Sequence, residues 1–266
     1  MLRRVQKYIR DNQLLEQGDK VLVCVSGGAD SVALLDVLCR GGYDCVVAHC
    51  NFHLRGEESN RDEQFVTSLC EQKKVPCHIK HFDTLLHARA IERSIEMTAR
   101  MLRYEWFDEL AHEQNCKAIA VAHHQNDQAE TLIMNLRRGT GIRGLCGMRP
   151  KSTNPIVSND PTQSPIPIIR PLLCTTRDYI EHYLNDIRHI QWVTDSTNQE
   201  TMFRRNAIRQ ELQHYTKAEI EHIAQTAEYM QGYLDIMEQI DWNQQQSISR
   251  QAQEIANYEQ TLRHNR

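Results

Sequence analysis

The first 125 residues alternate between short apolar segments and longer amphipathic ones, and this alternation constrains the fold more than any other feature. The apolar segments that predict buried strands are residues 20–25, 43–48, 75–81 and 117–122. Helical spacing appears between them, as in residues 94–114, where one stripe consists of Ile95, Ala99, Leu102, Trp106 and Leu110. Strands separated by helices predict an α/β fold: a twisted parallel sheet with helices on both faces and right-handed crossovers.

Composition narrows the class of protein. The chain has 266 residues, of which 40% are hydrophobic and 25% charged, as in ordinary globular proteins. A net charge of -4 excludes a uniformly basic nucleic-acid coat but not a local basic patch. The sequence has no run of 18 apolar residues and no signal-peptide pattern at its start, so we expect a cytoplasmic protein without a membrane span. Nine cysteines without a C-x-x-C pair predict neither a disulfide framework nor a paired-cysteine metal site.

The remaining chain predicts a change in organisation near residue 200. Residues 126–138 have helical spacing, with a buried face of Ala129, Leu132, Ile133 and Leu136. Residues 139–167 are rich in turn formers, and residues 175–188 predict another helix. From Lys217 onward the sequence is polar, rich in Gln and Glu, and helical in pattern. We therefore expect an α/β domain in residues 1–200 and a smaller helical region in residues 201–266.

A glycine loop follows the first predicted strand and precedes a helix, with the sequence Ser26-Gly27-Gly28-Ala29-Asp30-Ser31. Two glycines let the backbone turn tightly and direct N–H groups at an anion, and the helix N-terminus adds a partial positive charge. The serine hydroxyls can donate to phosphate oxygens, and the Asp30 carboxylate is a ligand type that Mg²⁺ prefers. The loop lacks the Walker A and dinucleotide patterns. The structural alternative is a plain strand-to-helix turn capped by serine.

Polar side chains also follow the second and fourth predicted strands. His49 and Asn51 end the second strand, where ligands of open α/β sheets bind, and Arg55 lies within reach of a phosphate. The alternative for His49 is a hydrogen-bonded core histidine. Asp127 follows the fourth strand and either caps a helix or coordinates a ligand, with Glu130 one turn further along. An acidic first turn stabilised by the helix dipole is the alternative for this pair.

A basic loop follows this helix. Between Thr131 and Asn159 the sequence has no acidic residue and five basic ones, among them Arg138 and Arg143. Glycines interspersed with arginines suit a loop that contacts phosphates, although a solvated basic loop is the simpler alternative.

Taken in order, these segments resemble the tRNA(Ile)-lysidine synthetase family of the PP-loop ATP pyrophosphatases. The shared patterns are S-G-G-x-D-S at residues 26–31, H-x-N and L-R-G within 49–56, A-H-H-x-x-D-Q-A-E-T at 122–131, and R-G-x-G-x-x-G-L at 138–145. Residues 100–104, 169–173, 195–198 and 205–209 extend the resemblance over residues 18–212. One departure is Phe52, where the family usually has a second histidine, with His53 one position later.

The resemblance implies an adenine nucleotide alpha hydrolase-like fold, ATP and Mg²⁺ as cofactors, and roles for individual residues. It assigns ATP binding to the loop Ser26, Gly27, Gly28, Ala29, Asp30 and Ser31 together with His49 and Asn51. Asp30 and Asp127 would hold Mg²⁺, and both join Arg103 and Arg205 as catalytic candidates. Contacts to substrate or tRNA fall to Arg55, Arg100, Glu130, Arg138, Arg143, Asn198 and Arg209.

The implied reaction joins L-lysine to C2 of the wobble cytidine of the isoleucine tRNA with anticodon CAU. The cytidine is first adenylated by ATP, which releases pyrophosphate, and lysine then displaces AMP. The family commonly has further C-terminal domains that bind the tRNA, so the chain could be a shortened form. The sequence does not fix the oligomeric state, and a homodimer is one state it allows.

Two alternatives stay open. A tRNA thiolase of the same superfamily would use a single cysteine such as Cys146, although the missing C-x-x-C argues against it. A non-catalytic nucleotide- or RNA-binding module with a degenerate site is the alternative from another class, and the intact glycine loop and Asp127 argue against it.

Overall fold

Six strands form one sheet in the computed structural model, which describes residues 1–153, 164–194 and 203–264, with side chains for 1–153, 164–194 and 207–246. The strands are β1 (Lys20–Cys24), β2 (Asp44–Asn51), β3 (Cys77–His81), β4 (Ala118–Ala120), β5 (Lys151–Ser152) and β6 (Ile168–Ile169). Their order across the sheet is β3-β2-β1-β4-β6-β5. Strand order reverses beside β1, so the carboxyl ends of β1 and β4 flank the crevice where such sheets bind ligands.

The predicted parallel sheet is confirmed, since four of the five strand pairings in the described chain are parallel. β1 pairs in parallel with β2 and β4, β2 with β3, and β4 with β6. The edge strand β5 instead runs antiparallel to β6, with Lys151 opposite Ile169. The sequence did not predict this edge, because strands of two residues in a turn-rich segment have no measurable alternation.

Helices cover both faces of the sheet, as predicted. The α-helices are α1 (Leu2–Asp11), α2 (Ala29–Arg40), α3 (Glu57–Lys73), α4 (Thr84–Ala90), α5 (Ile95–Glu113), α6 (Gln125–Arg138), α7 (Ile142–Leu145), α8 (Arg177–His182), α9 (Phe203–Leu212) and α10 (Lys217–His264). A 3-10 turn (Pro171–Cys174) precedes α8, and a π turn (Tyr183–Arg188) follows it. Within the described chain, none of the helices has the combination of length and apolar character needed to span a membrane.

Alternate residues of β1 serve two separate hydrophobic cores. Val21 and Val23 pack with α2 on one face, whereas Leu22 packs with Phe107 and Leu110 of α5 on the other. All of these side chains are almost completely buried. Burial on both faces explains why β1 is a continuous apolar segment, and it makes β1 a rigid support for the loop that follows.

The helical region packs onto α6. Ala129 of α6 forms a small buried cluster with Ile208, Leu212 and Ile220 from α9 and α10. The chain after residue 203 thus covers one face of the helix that carries Asp127. The domain boundary near residue 200 stays a prediction.

One local prediction was wrong. Leu136, assigned to the buried face of α6, is 56% exposed, because the cluster on that helix reaches Ile133 and Met134 but not its last turn. The helix predicted around Ile95 is confirmed as α5, although Ile95 itself is 44% exposed at the first position and the stripe is buried from Ala99 onward. The helix predicted for residues 175–188 is confirmed over residues 177–188, where α8 continues as a π turn around the buried Tyr183.

Candidate active site

The glycine loop joins the end of β1 to the N-terminus of α2. The backbone N–H of Ser26 donates to the Ser31 hydroxyl oxygen at 3.2 Å, and that hydroxyl donates to the Gly28 carbonyl at 2.9 Å. These bonds close the loop on itself across five residues. Gly28 is the N-cap of α2 and has no side chain to occupy the free N–H groups of the first turn, so these can bind an anion.

Gly27 is the loop position that requires glycine. Its φ is +97°, whereas Gly28 has an ordinary φ of -71°. We expect Gly27→Ala to lower the free energy of unfolding by about 1–2 kcal/mol, because an L side chain is strained at positive φ. Gly28→Ala is the matched control, since a Cβ there would meet the Ser26 Oγ at an ordinary 3.6 Å. Chemical denaturation of both variants checks this, and equal losses would contradict it.

Asp30 and Asp127 converge on one imidazole, that of His124. The His124 Nε2 lies 3.6 Å from Asp30 Oδ1 and 3.4 Å from Asp127 Oδ2. Asp127 also accepts the His124 backbone N–H at 3.0 Å, so it caps α6, and the capping interpretation is confirmed. Burial opposes protonation of the ring, but the carboxylates of Asp127 and Asp30 outweigh it and raise the pKa of His124 above its ordinary value.

Arg177 is a site residue that the sequence analysis missed. Its Nη1 lies 2.8 Å from Asp30 Oδ2, and its backbone N–H donates to the Asn126 side chain at 3.0 Å. Glu181 holds the guanidinium from the other side at 2.9 Å. Asp30 therefore has the His124 ring beside one carboxylate oxygen and the Arg177 guanidinium on the other. Only the helix start at residue 175 hinted at this position, and periodicity does not show which element crosses to the loop.

A cavity of about 460 Å³ opens between the carboxyl ends of β1, β2 and β4. The predicted site residues that line it are Ser26, Gly28, Asp30, Ser31, His49, Asn51, Arg55, Arg100 and Arg103. His123, Phe52, Tyr104 and Phe107 also line it, which gives the cavity an aromatic part beside its charged part. Gly27, Ala29 and Asp127 do not line this cavity, although Gly27 and Ala29 shape the loop and Asp127 adjoins His124.

His49 and Asn51 both face the cavity, and both are hydrogen-bonded to neighbours. The His49 Nδ1 donates to the Val25 carbonyl at 2.8 Å, and burial lowers the pKa of this ring below its ordinary value. His49 is thus neutral, and the hydrogen-bonded core alternative describes it as well as the nucleotide-facing one. The Asn51 amide donates to Glu63 at 2.7 Å and accepts the His53 N–H at 3.0 Å. Nucleotide contact by either residue stays a prediction.

Three predicted arginines reach the cavity, two of them over aromatic rings. Arg103 lies 5.1 Å from the centre of the Phe52 ring, and Arg100 lies 4.9 Å from that of Tyr104. Stacking on a ring orients the planar guanidinium and weakens its hydration, which favours contact with a phosphate or a base. Arg55 is held by Asp62 at 2.9 Å. Phe52, the departure from the family pattern, thus supports Arg103.

Glu130 and Arg209 form a second polar group one turn beyond Asp127 on α6. Arg209 Nε lies 2.7 Å from Glu130 Oε1, and its Nη2 lies 3.8 Å from Asp127 Oδ1. Glu130 is buried. Glu130 and Arg209 are 79 positions apart in the sequence, and the packing of α9 on α6 brings them together.

The basic loop lies apart from the cavity. Arg138 is exposed at the end of α6, and Arg143 is exposed and pairs with Glu238 at 3.2 Å. Asn198 lies outside the described residues, as does the side chain of Arg205. The basic loop therefore presents charge at the surface, and its contact with RNA stays a prediction.

Comparison with known proteins identifies the family. Residues 1–216 match the PP-loop domain. The chain belongs to the PP-loop family. Among solved structures, a U34-tRNA thiolase from Methanococcus maripaludis, described with its [4Fe-4S] cluster, superposes with a TM-score of 0.67. The match covers 86% of this chain and 79% of that one at 16% identity, which establishes a shared PP-loop fold.

Similar curated sequences in the family are tRNA(Ile)-lysidine synthases. The Porphyromonas gingivalis W83 protein is 54% identical over 207 residues, which are 77% of this chain and 43% of that protein. The Parabacteroides distasonis protein is 43% identical over 90% of this chain and 53% of its own length. The Chlorobaculum tepidum protein is 38% identical over 84% of this chain and 67% of its own length. The chain spans about half the length of the first two relatives.

Proposed function

We propose that the protein is a tRNA(Ile)-lysidine synthetase, a ligase that forms a carbon–nitrogen bond at the cost of ATP. The observation that carries the proposal is the convergence of Asp30 and Asp127 on His124, beside an anion-binding loop at the carboxyl ends of β1 and β4. The similarity to lysidine synthases supports the choice of substrate. The substrates are then ATP, L-lysine and the CAU-anticodon isoleucine tRNA.

The first step forms a bond between the cytidine O2 and the α-phosphate and breaks the bond to pyrophosphate. The N–H groups at the start of α2 and the Ser26 and Ser31 hydroxyls bind the phosphates and stabilise charge on the leaving pyrophosphate. Arg103, oriented over Phe52, contacts the α-phosphate or the reacting base from the opposite wall. The unstacked bases of an anticodon loop allow the cytidine to enter the cavity.

Asp30 and Asp127 are the residues that would hold Mg²⁺. Their fit to the ion rests on the Asp30 Oδ1 atom, which is buried and has no hydrogen-bond partner among the described residues. Carboxylate oxygens are the ligands that this hard cation prefers. When bound, Mg²⁺ neutralises negative charge on the phosphates. The His124 Nε2 lies 3.6 Å from that same Asp30 oxygen, and Arg177 holds the other Asp30 oxygen at 2.8 Å.

The second step forms the bond between the lysine amine and C2 of the cytidine and expels AMP. We assign Glu130 and Arg209 to substrate contact, since the acid suits an ammonium group and the guanidinium suits a carboxylate or phosphate. Arg138 and Arg143 are assigned to the tRNA backbone. A cytoplasmic location, where tRNA is modified, accords with this function.

Pyrophosphate release from ATP tests the proposal. We expect release with Mg²⁺ to require the isoleucine tRNA transcript, and radiolabelled lysine to become attached to that transcript. A methionine tRNA with the same anticodon is the matched control and is expected to give no attachment. Release with tRNA but without lysine attachment would contradict the lysidine assignment and favour another adenylating enzyme.

The two alternatives predict other results in the same assay. A thiolase would release pyrophosphate and need a reactive cysteine. Cys146 is buried, its Sγ donates to the Ile142 carbonyl at 3.3 Å, and burial raises its pKa, so this thiol is not poised to react. A binding module would bind ATP and RNA without turnover at any RNA concentration.

A further inference from the structure

Two imidazoles meet at the surface where β2 and β3 end. The His53 Nε2 and the His81 Nδ1 are 3.0 Å apart, and the two rings lie nearly parallel with centres 5.0 Å apart. Both side chains are exposed, His81 by 54%. A hydrogen bond between two exposed imidazoles contributes little to folding, so their approach needs another explanation.

The backbone holds both rings in this place. His81 is opposite Asn51 in the parallel pairing of β2 with β3. His53 follows two residues after Asn51 with a left-handed φ of +51°, and its N–H donates to the Asn51 side chain at 3.0 Å. A non-glycine residue in this conformation is uncommon and is kept here by that turn. The backbone therefore places the two side chains next to each other.

A carboxylate lies behind one of the rings. Glu63 Oε2 is 3.7 Å from the His81 Nε2 and accepts the Asn51 amide at 2.7 Å. At 3.7 Å the carboxylate is too far for a hydrogen bond, but its negative charge favours the tautomer with the proton on Nε2, which leaves the near nitrogen, Nδ1, with a lone pair. A small movement of either side chain would give the carboxylate–histidine pair that orients many metal ligands in proteins.

We propose that His53 and His81 form a two-histidine site for a borderline transition-metal dication, Zn²⁺ in the first instance, with Glu63 orienting His81. The ligands would be His53 Nε2 and His81 Nδ1, and His53 would carry its proton on Nδ1. Ligand nitrogens on tetrahedral zinc lie about 3.4 Å apart, for Zn–N bonds of about 2.1 Å. Exposed side chains reach that separation by a shift of a few tenths of an ångström. Water would complete the coordination.

This site is separate from the Mg²⁺ ligands assigned above. Imidazole nitrogen suits zinc, whereas Mg²⁺ prefers oxygen and should not compete. Within the described residues no group of three or more His, Cys, Asp or Glu side chains is arranged to hold a metal, so a two-ligand surface site of moderate affinity is the expected kind. Asn51 connects Glu63 to the wall of the cavity.

Calorimetric titration with Zn²⁺ tests the site on the whole chain, with a phosphine reductant to keep the cysteines as thiols. We expect one saturable site that excess Mg²⁺ does not weaken. His53→Asn and His81→Ala should each weaken it at least about 10-fold, and Glu63→Gln about 10-fold, as outer-shell carboxylates do. His87→Ala is the matched control. His87 is an exposed histidine whose ring is hydrogen-bonded to the Asp83 carbonyl, and its loss should change the Zn²⁺ affinity less than twofold.

A second readout separates metal binding from loss of structure. In the wild type, Zn²⁺ should shift the imidazole nitrogen resonances of His53 and His81 and leave that of His87 unchanged. The variants should unfold at the wild-type temperature, since both rings are exposed, and Asn tolerates the left-handed conformation of His53. Equal affinity in the wild type and the His53 and His81 variants, or no binding by the wild type, would overturn the proposal.

Discussion

Asp127→Ala is expected to lower the proposed tRNA-dependent pyrophosphate release by at least about 10²–10³-fold, the loss typical of removing one electrostatic contact to a transition state. Asp127 lies 3.4 Å from the same imidazole nitrogen that contacts Asp30. Removing it therefore deletes one of the two carboxylates assigned to Mg²⁺ and one acidic neighbour of His124. A steady-state assay of pyrophosphate with saturating ATP, lysine and tRNA measures the effect.

Two further variants separate this role from the capping role of Asp127. Asp127→Asn keeps an oxygen for the His124 N–H but removes the charge, so it should lose activity as Asp127→Ala does while keeping the cap, worth about 1 kcal/mol. Glu96→Ala is the control, an exposed acid in the first turn of α5, and should leave turnover within twofold of the wild type. Turnover near the wild-type rate in Asp127→Asn would contradict the assignment.

Asp36→Ala is expected to lower the free energy of unfolding by about 3–5 kcal/mol, the range for removing one partner of a buried ion pair. The Asp36 side chain is completely buried in α2. Its carboxylate accepts hydrogen bonds from Lys73 Nζ at 2.7 Å, from the Tyr183 hydroxyl at 2.6 Å and from Arg188 Nε at 3.0 Å. Loss of the carboxylate leaves these donors, of which the Tyr183 hydroxyl is buried, without their acceptor. Asp11→Ala, in the exposed pair with Lys7, should change stability by less than about 1 kcal/mol.

The same carboxyl makes stability depend on pH. Burial opposes ionisation of Asp36, but hydrogen bonds from Arg188, Lys73 and Tyr183 outweigh it and hold its pKa below the ordinary value. Because the pKa of Asp36 is lower in the folded than in the unfolded protein, the ionised carboxylate stabilises the fold at pH values above the unfolded-state pKa of about 3.9. This stabilisation is lost as the pH falls through the folded-state pKa. Wild type and Asp36→Asn should therefore differ most near neutral pH and converge below about pH 4. Denaturation at several pH values measures this, and a constant difference would contradict it.

The fold was predictable where apolar patterning is long and local. The four strands through residue 122, the glycine loop and α5 follow from periodicity, because burial on two faces or on one stripe leaves a regular pattern. β5, β6 and the irregular turns around α8 carry no such pattern, since they are short and are shaped by tertiary contacts. The exposed Leu136 shows that periodicity indicates a helix face but not how far a neighbour extends along it.

The candidate site was predictable where its residues follow a strand or belong to a motif, but the neighbours that hold those residues in place were not predictable. Asp30, Asp127 and the loop lie next to strands, and strand ends in a parallel sheet share an edge. Arg177 reaches Asp30 from 147 positions away, and Phe52 supports Arg103 from a neighbouring element. Such pairs depend on how separate elements pack, which no local pattern records. Phe52, a departure from the family motif, lies against the Arg103 guanidinium.

The packing of α9 on α6 has a consequence for any attempt to obtain a minimal protein. One side of α6 carries Asp127 and Glu130, and another is covered by Ile208 and Leu212. A polypeptide cut at residue 200 would uncover that apolar surface and would remove Arg209 from both acids at once. The segment after residue 203 thus supports the helix that carries Asp127, and we expect a shorter protein that keeps the packing of α6 to need at least α9 and the first turns of α10.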